Sequence, residues 1–217
     1  MIPKIFGVPR SGSTVIFNIV NYLYGGLVLP QKHNYFSDEP GLKTIVTYRD
    51  FRDSCISQWR AFYGNFDEEE NKKNISNSML QKHVFDQLNT ITLLDKFKKD
   101  YDSDQRNVLF LRYEDFFSDI GQNLNFDFLF DKFEKFLEIN ISIEQKVFIE
   151  KEFSFKNQKN KSKKLKNFHE FNEKTHLHGH HLYKGKTGSW REMVPEENHS
   201  FVNDVLGKHL IRWGYKL

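Results

Sequence analysis

Short apolar runs alternate along this chain with longer stretches of helical period. Ile2 to Val8 has the pattern of a short buried strand, and Ser13 to Tyr24 sets Val15, Ile16, Ile19, Val20 and Leu23 on one helical face. Gly25-Gly26 are expected to stop that helix, Leu27-Val28-Leu29 to form a second strand, and Pro30 to end it. Lys43 to Tyr48 predicts a third strand. Its centre, Thr44-Ile45-Val46-Thr47, is apolar or β-branched throughout, as in a strand covered on both faces. Ser54 to Tyr63 and the amphipathic Met79 to Lys98 predict helices, and Asn107 to Arg112 a fourth strand. Phe126 to Leu137 and Ile143 to Lys151 follow as helices whose aromatic stripes are read as core. Pro195 to His209 predicts a last helix, with proline at its start and Gly207 near its end. Strands alternating with helices, without internal repeat, predict a single α/β domain over 1–217 with a central, mostly parallel sheet flanked by helices.

Composition adds bounds. The 217 residues are 38% hydrophobic and 28% charged, enough for one sizeable core. The formal net charge is only +3, so any preference for anions must be local. Cys55 is the single cysteine, which leaves no intramolecular disulfide and suits a reducing compartment. Neither a signal peptide nor an apolar run of membrane-spanning length is evident, and a cytoplasmic location is expected. The acidic patch Asp67-Glu68-Glu69-Glu70 reads as a solvated surface turn, and the Lys156 to Lys166 run as a solvated loop or helix.

The chemistry starts between the first strand and first helix. Gly7-Val8-Pro9-Arg10-Ser11-Gly12-Ser13-Thr14 keeps the spacing of the phosphate-cradling loop G-x-x-x-x-G-K-[ST], with Ser13 where that motif has lysine. A glycine-rich turn at a helix start aims N–H groups and the positive helix end at an anion, so the fold expected is P-loop-NTPase-like. Arg10 is the nearest replacement charge, and its planar fork suits two oxygens of a phosphate or sulfate. Three more segments point the same way. Arg49 ends the third strand and Ser57 lies eight residues on, in the next helix. Leu111-Arg112-Tyr113-Glu114-Asp115-Phe116 follows the fourth strand. Tyr183-Lys184-Gly185-Lys186-Thr187-Gly188-Ser189-Trp190-Arg191 is a basic, glycine-bearing loop able to wrap an anion.

These segments, in this order from about Lys4 to Tyr215, resemble the sulfotransferase family that uses 3′-phosphoadenosine 5′-phosphosulfate (PAPS). The resemblance implies a 5′-phosphosulfate loop made by Arg10, Ser11, Gly12, Ser13 and Thr14, and a 3′-phosphate site made by Arg49 and Ser57. It implies that Tyr113 and Phe155, in Ser154-Phe155-Lys156, lie near the adenine. Lys184 and Gly185, with Gly188 and Trp190, echo the family's R-K-G-x-x-G-D-W closing loop. Two departures from the family pattern matter. Tyr183 replaces an arginine of the closing loop, and Val15 replaces a tryptophan that stacks on adenine in cytosolic members.

In-line sulfuryl transfer needs a base for the acceptor proton and positive groups at the leaving phosphate. Arg10 supplies the charge, and His33, in Gln31-Lys32-His33-Asn34, is the base expected from its titration range and from its likeness to the family's K-x-H segment, although here the lysine is adjacent at Lys32. His176, His178, His180 and His181 form a second group, read as a polar loop with a place at the acceptor mouth; no metal is expected. The Lys156 to Lys166 run has a second reading as a flank that draws anions toward the site. Trp59, Phe62 and Tyr63 either line an acceptor pocket or pack in the core. The acceptor is expected to be a small molecule or glycan bearing a sugar, phenol or alcohol hydroxyl. A P-loop-like nucleotide kinase or NTPase is the alternative, although it needs the lysine absent at Ser13. A non-enzymatic polyanion binder explains less, and no nucleic-acid partner is expected.

Overall fold

The computed structural model describes residues 2–28, 42–63, 77–101, 104, 106–118, 123–179, 182 and 185–217. Three strands carry the architecture: β1 (Lys4–Gly7), β2 (Thr44–Tyr48) and β3 (Val108–Arg112) form a parallel sheet in that order. Ile5 faces Ile45, and Ile45 in turn faces Leu109. α1 (Ser13–Leu23) lies between β1 and β2 in the chain, and α2 (Phe51–Tyr63) and α3 (Asn77–Tyr101) between β2 and β3.

The unbroken apolar pattern of β2 has its cause in the layers. Successive strand side chains point to opposite faces. Ile45 joins a core with Ile16, Ile19, Leu111 and Phe116, whereas Val46 joins another with Phe51, Trp59, Leu80, Leu94 and Leu210. Both faces are covered, so neither tolerates a polar alternation. The first core extends to α5 (Phe126–Leu137) and α6 (Ile143–Phe153), whose Phe133 and Ile149 are fully buried. The second is closed by α9 (His199–Arg212). There Asp95 of α3, itself buried, accepts from His209 Nδ1 at 2.6 Å, Arg212 at 2.7 Å and Trp213 Nε1 at 2.7 Å.

Several boundaries differ from the sequence expectation. Leu27 and Val28 pair with no strand; the Val28 N–H donates instead to Asn21 Oδ1 at 3.0 Å, and Leu29 and Pro30 lie outside the described residues. Gly25-Gly26 do stop α1, with Gly26 N–H reaching back to Asn21 O and Gly25 N–H to Tyr22 O, which satisfies carbonyls that a helix end leaves open. α2 starts at Phe51, three residues before the expected Ser54. Gly207 lies within α9. The helix ends at Arg212 instead, and just beyond it Gly214, at φ 78°, lets the Tyr215 N–H bond Leu210 O. Pro195 precedes a short 3₁₀ turn (Glu196–Asn198) rather than α9 itself. The lysine run starts as helix α7 (Phe155–Ser162), capped by the Ser154 hydroxyl, and continues as turns. A short α4 (Tyr113–Phe116) follows β3 and leads into the small hairpin of β4 (Phe117–Ser118) and β5 (Asn123–Leu124), and α8 (Trp190–Met193) precedes α9. No helix among the described residues is long and apolar enough to cross a membrane.

Candidate active site

The loop from β1 to α1 is held by contacts that its sequence requires. A Cβ on Gly7 would sit 2.1 Å from Thr47 Oγ1, so only glycine lets β1 end this close to β2. The buried Ser11 hydroxyl donates to Val8 O at 2.6 Å and meets Thr47 Oγ1 at 2.7 Å, pinning the turn to the sheet. Arg10 at φ 70° and Gly12 at φ 82° both take left-handed backbone, which turns the chain sharply into α1. A Cβ on Gly12 would lie 2.9 Å from Phe116, a second reason for glycine there. The first turn of α1 contains no acidic residue, so the helix start stays positive. Ser13 and Thr14 are its first two residues.

Three arginines gather at this helix start. Arg49, at the end of β2, stacks its guanidinium 4.4 Å from the Tyr113 ring centre and donates to Lys186 O at 2.7 Å. Burial works against its charge, but Asp53 at 3.6 Å, with Tyr113 and Glu114, outweighs that and leaves it above its ordinary value. Arg49 Nε is buried and has no hydrogen-bond partner among the described residues. Arg10 Nε donates to Ser57 Oγ at 3.1 Å, joining the loop to α2. Burial, then the charges of Arg60 and Arg49, push the Arg10 guanidinium down to about 9. Arg60, on α2 one turn beyond Ser57, lines the same cleft as Arg10, Arg49, Ser57 and Tyr113. Mutually repelling buried cations are retained where an anion relieves them.

Two further spaces adjoin that cleft at Gly12. One is a small apolar slot lined by Val15, Tyr113, Phe117, Phe155 and Leu177. Phe155 packs edge-on to Phe117, and Tyr113 stacks on Phe117 with centroids 5.1 Å apart. The Tyr113 hydroxyl donates to Gly185 O at 3.0 Å, which draws the closing loop over the slot. Asp53 anchors the rest of that loop: its carboxylate accepts from the N–H groups of Gly188 at 2.7 Å and Trp190 at 2.8 Å and from the Ser189 hydroxyl at 3.1 Å. The other space, of about 500 Å³, lies across the loop and is lined by Ser13, Thr14, Gln87, Phe168, His176 and His178 among others.

The structure therefore brings Arg10, Gly12, Arg49, Ser57, Tyr113, Phe155 and Gly185 to one cleft, whereas Ser13 and Thr14 line the larger space across the loop. Ser11 is set apart, its hydroxyl turned into the sheet. His33, Lys184 and Tyr183 lie outside the described residues, as do His180 and His181 of the histidine group. Among the described residues no cluster of three or more His, Cys, Asp or Glu is arranged to hold a metal ion. The lysines of the 156–166 run line none of the three spaces. Of the aromatic trio, Trp59 is core, Phe62 lines the large cavity and Tyr63 packs edge-on to His83. Arg60, and the part Asp53 plays in anchoring the closing loop, were missed by sequence reasoning, which had offered Asp53 only as an ion-pair partner of Arg49. Their signal was helical phase, since Asp53, Ser57 and Arg60 follow the i, i+4, i+7 spacing of one face.

The sulfotransferase-domain family model matches residues 33–214. Among solved structures, mouse sulfotransferase SULT7A1 complexed with PAP superposes with a TM-score of 0.61 at 14% identity, covering 96% of this chain and 84% of that one. A retinol dehydratase in complex with androsterone and inactive cofactor PAP gives 0.61 at 16% identity, covering 100% and 83%. Among curated proteins, none matches the chain in sequence. The matched span takes in β2, β3, Arg49, Ser57, Tyr113 and the closing loop, and on this ground the chain belongs to the sulfotransferase family.

Proposed function

We propose that this protein transfers a sulfuryl group from PAPS to an acceptor hydroxyl. The observation that carries the proposal is the convergence of Arg10, Arg49 and Arg60 with Ser57 beside the start of α1. The residues fit a doubly phosphorylated adenosine: buried cations with one unpartnered guanidinium nitrogen at one end, and an apolar aromatic slot next to it. When bound, that nucleotide supplies an activated sulfuryl group. Arg10 and the N–H groups at the start of α1 hold the 5′-phosphate and favour negative charge at its bridging oxygen, with Thr14 beside them. Arg49 and Ser57, joined by Arg60, hold the 3′-phosphate. Tyr113 and Phe155 flank the adenine, and Gly185 closes over it; Lys184, outside the described residues, is proposed for the same loop on family likeness.

The acceptor proton needs a base on the other side of the loop. His33 is the candidate carried by family likeness. His178 is a second, because its Nδ1 lies 2.7 Å from Phe168 O. That contact favours the tautomer with hydrogen on Nδ1, which makes Nε2 the proton-accepting nitrogen. His178 also lines the cavity that Ser13 and Thr14 share. Burial lowers its pKa, against the pull of the Phe168 carbonyl, which favours the neutral form a base requires. The lone, buried Cys55 suits a reducing compartment, and the cytoplasm is the location proposed.

Titration calorimetry with 3′-phosphoadenosine 5′-phosphate (PAP), followed by transfer of label from ³⁵S-PAPS to an acceptor panel, tests the reading. PAP binding without magnesium is expected; magnesium-dependent ATP turnover with no PAP binding would favour the kinase or NTPase alternative. His33→Ala and His178→Ala decide the base. The true base loses roughly 100-fold or more in turnover while PAP affinity holds.

A further inference from the structure

The large cavity holds polar groups that have no partner among the described residues. Gln87, on α3, is 1% exposed and lines the cavity, yet neither its amide nitrogen nor its oxygen has a hydrogen-bond partner among the described residues. Gln58 Oε1, on α2 across the same cavity, is likewise buried and unpartnered. Buried amides are paired in almost every native protein, and an exception marks a group completed by something else. Beside them the Phe62 and Phe168 rings, centroids 4.7 Å apart, give the wall an apolar face, and Asp86 adds a carboxylate.

We infer that this cavity binds a polyhydroxylated acceptor, a neutral mono- or disaccharide, through the Gln87 amide. The amide offers donors on nitrogen and an acceptor on oxygen, and neighbouring sugar hydroxyls present the matching pair. One hydroxyl must face Ser13 and Thr14 to react. Further sugar hydroxyls can complete Gln87 and Gln58, whereas a phenol or simple alcohol brings only the one hydroxyl that reacts. The apolar C–H face of a sugar ring packs against Phe62 and Phe168. A site built to bond substrate hydroxyls discriminates strongly against analogues without them, because its own polar groups are then left unpaired.

The inference rests on the sulfotransferase reading, and the two are separable. Saturation-transfer NMR of lactose, maltose and glucose with the full chain, with and without PAP, reads sugar binding apart from catalysis. Labelled transfer from ³⁵S-PAPS then compares these sugars with 4-nitrophenol and 1-octanol. Sugar contact and label on a sugar in preference to both other acceptors are expected. Gln87→Leu, close in size, should raise the KM for the sugar about tenfold or more and leave PAP affinity within twofold, which also reports a folded chain. Gln58→Met supplies a second variant expected to act in the same direction. Absent sugar contact, preferential labelling of 4-nitrophenol or octanol, or an unchanged sugar KM in both variants overturns the inference. Sugar contact without any PAP binding sinks the sulfotransferase reading and leaves the sugar site standing.

Discussion

Replacing Arg10 by methionine should stabilise the nucleotide-free protein while weakening its hold on PAP. Burial, with Arg60 and Arg49 nearby, brings the guanidinium well below its ordinary value, to about 9. Sealed from solvent, such a depression would correspond to about 5 kcal/mol against the charged form. The side chain is half-buried, so screening leaves ~2 kcal/mol, and losing the bond to Ser57 takes back ~0.5 kcal/mol. The sign follows from the two pKa values. Below pH 9 Arg10 is charged in folded and unfolded chains alike, so the penalty is fully present at neutral pH and fades only as pH rises through about 9 toward the ordinary guanidinium value. Methionine keeps the same φ of 70°, so backbone strain does not enter the comparison. Scanning fluorimetry in buffer free of phosphate and sulfate should show a Tm about 3–6 °C above wild type. Calorimetry should show PAP binding weakened roughly 10- to 100-fold, the worth of charge-assisted hydrogen bonds. In saturating PAP the order of Tm values should reverse. A lower Tm for the free variant, or an unchanged PAP affinity, would refute the claim that this cluster stores repulsion for an anion to relieve.

Asp53→Ala frees the N–H groups of Gly188 and Trp190 and removes the acidic neighbour of Arg49; urea unfolding should show a loss of ~3 kcal/mol and calorimetry a weaker PAP complex. Gly185→Ala forces a side chain onto left-handed backbone at φ 67°, with its Cβ 2.4 Å from the Phe117 ring, so PAP affinity should fall about tenfold or more with little change in circular dichroism. Unchanged affinity there would detach the closing loop from the nucleotide. Asp95→Ala leaves the donors of His209 and Trp213 unpaired in the core and should cost ~3–5 kcal/mol by urea titration. The folded fraction of that variant should still bind PAP normally, since Asp95 bonds His209 and Trp213 and lines none of the three spaces.

The alternation of short apolar strands with amphipathic helices, and the glycine-rich turn into α1, were legible in the residues because both depend on neighbours a few positions away. The β2 pattern even announced its two covered faces, later seen as Ile45 and Val46 in separate cores. Leu27-Val28 misled, because a short apolar run is equally at home in a turn once Asn21 takes its N–H. Gly207 misled for a related reason: helix α9 ends where Tyr215 bonds back to Leu210, and only the packed C-terminus fixes that point. For the site, spacing named Arg49 and Ser57 but was silent on which other arginines join them. Arg52 and Arg60 lie on the same helix. Docking of α9 and the C-terminus sends Arg52 to Asp50, Asn203 and Lys216 O, and leaves Arg60 facing the cleft with Arg10. Sequence sets the period on which charges recur along a helix, whereas the neighbours packed around that helix decide which of them turn into the fold and which line the cleft.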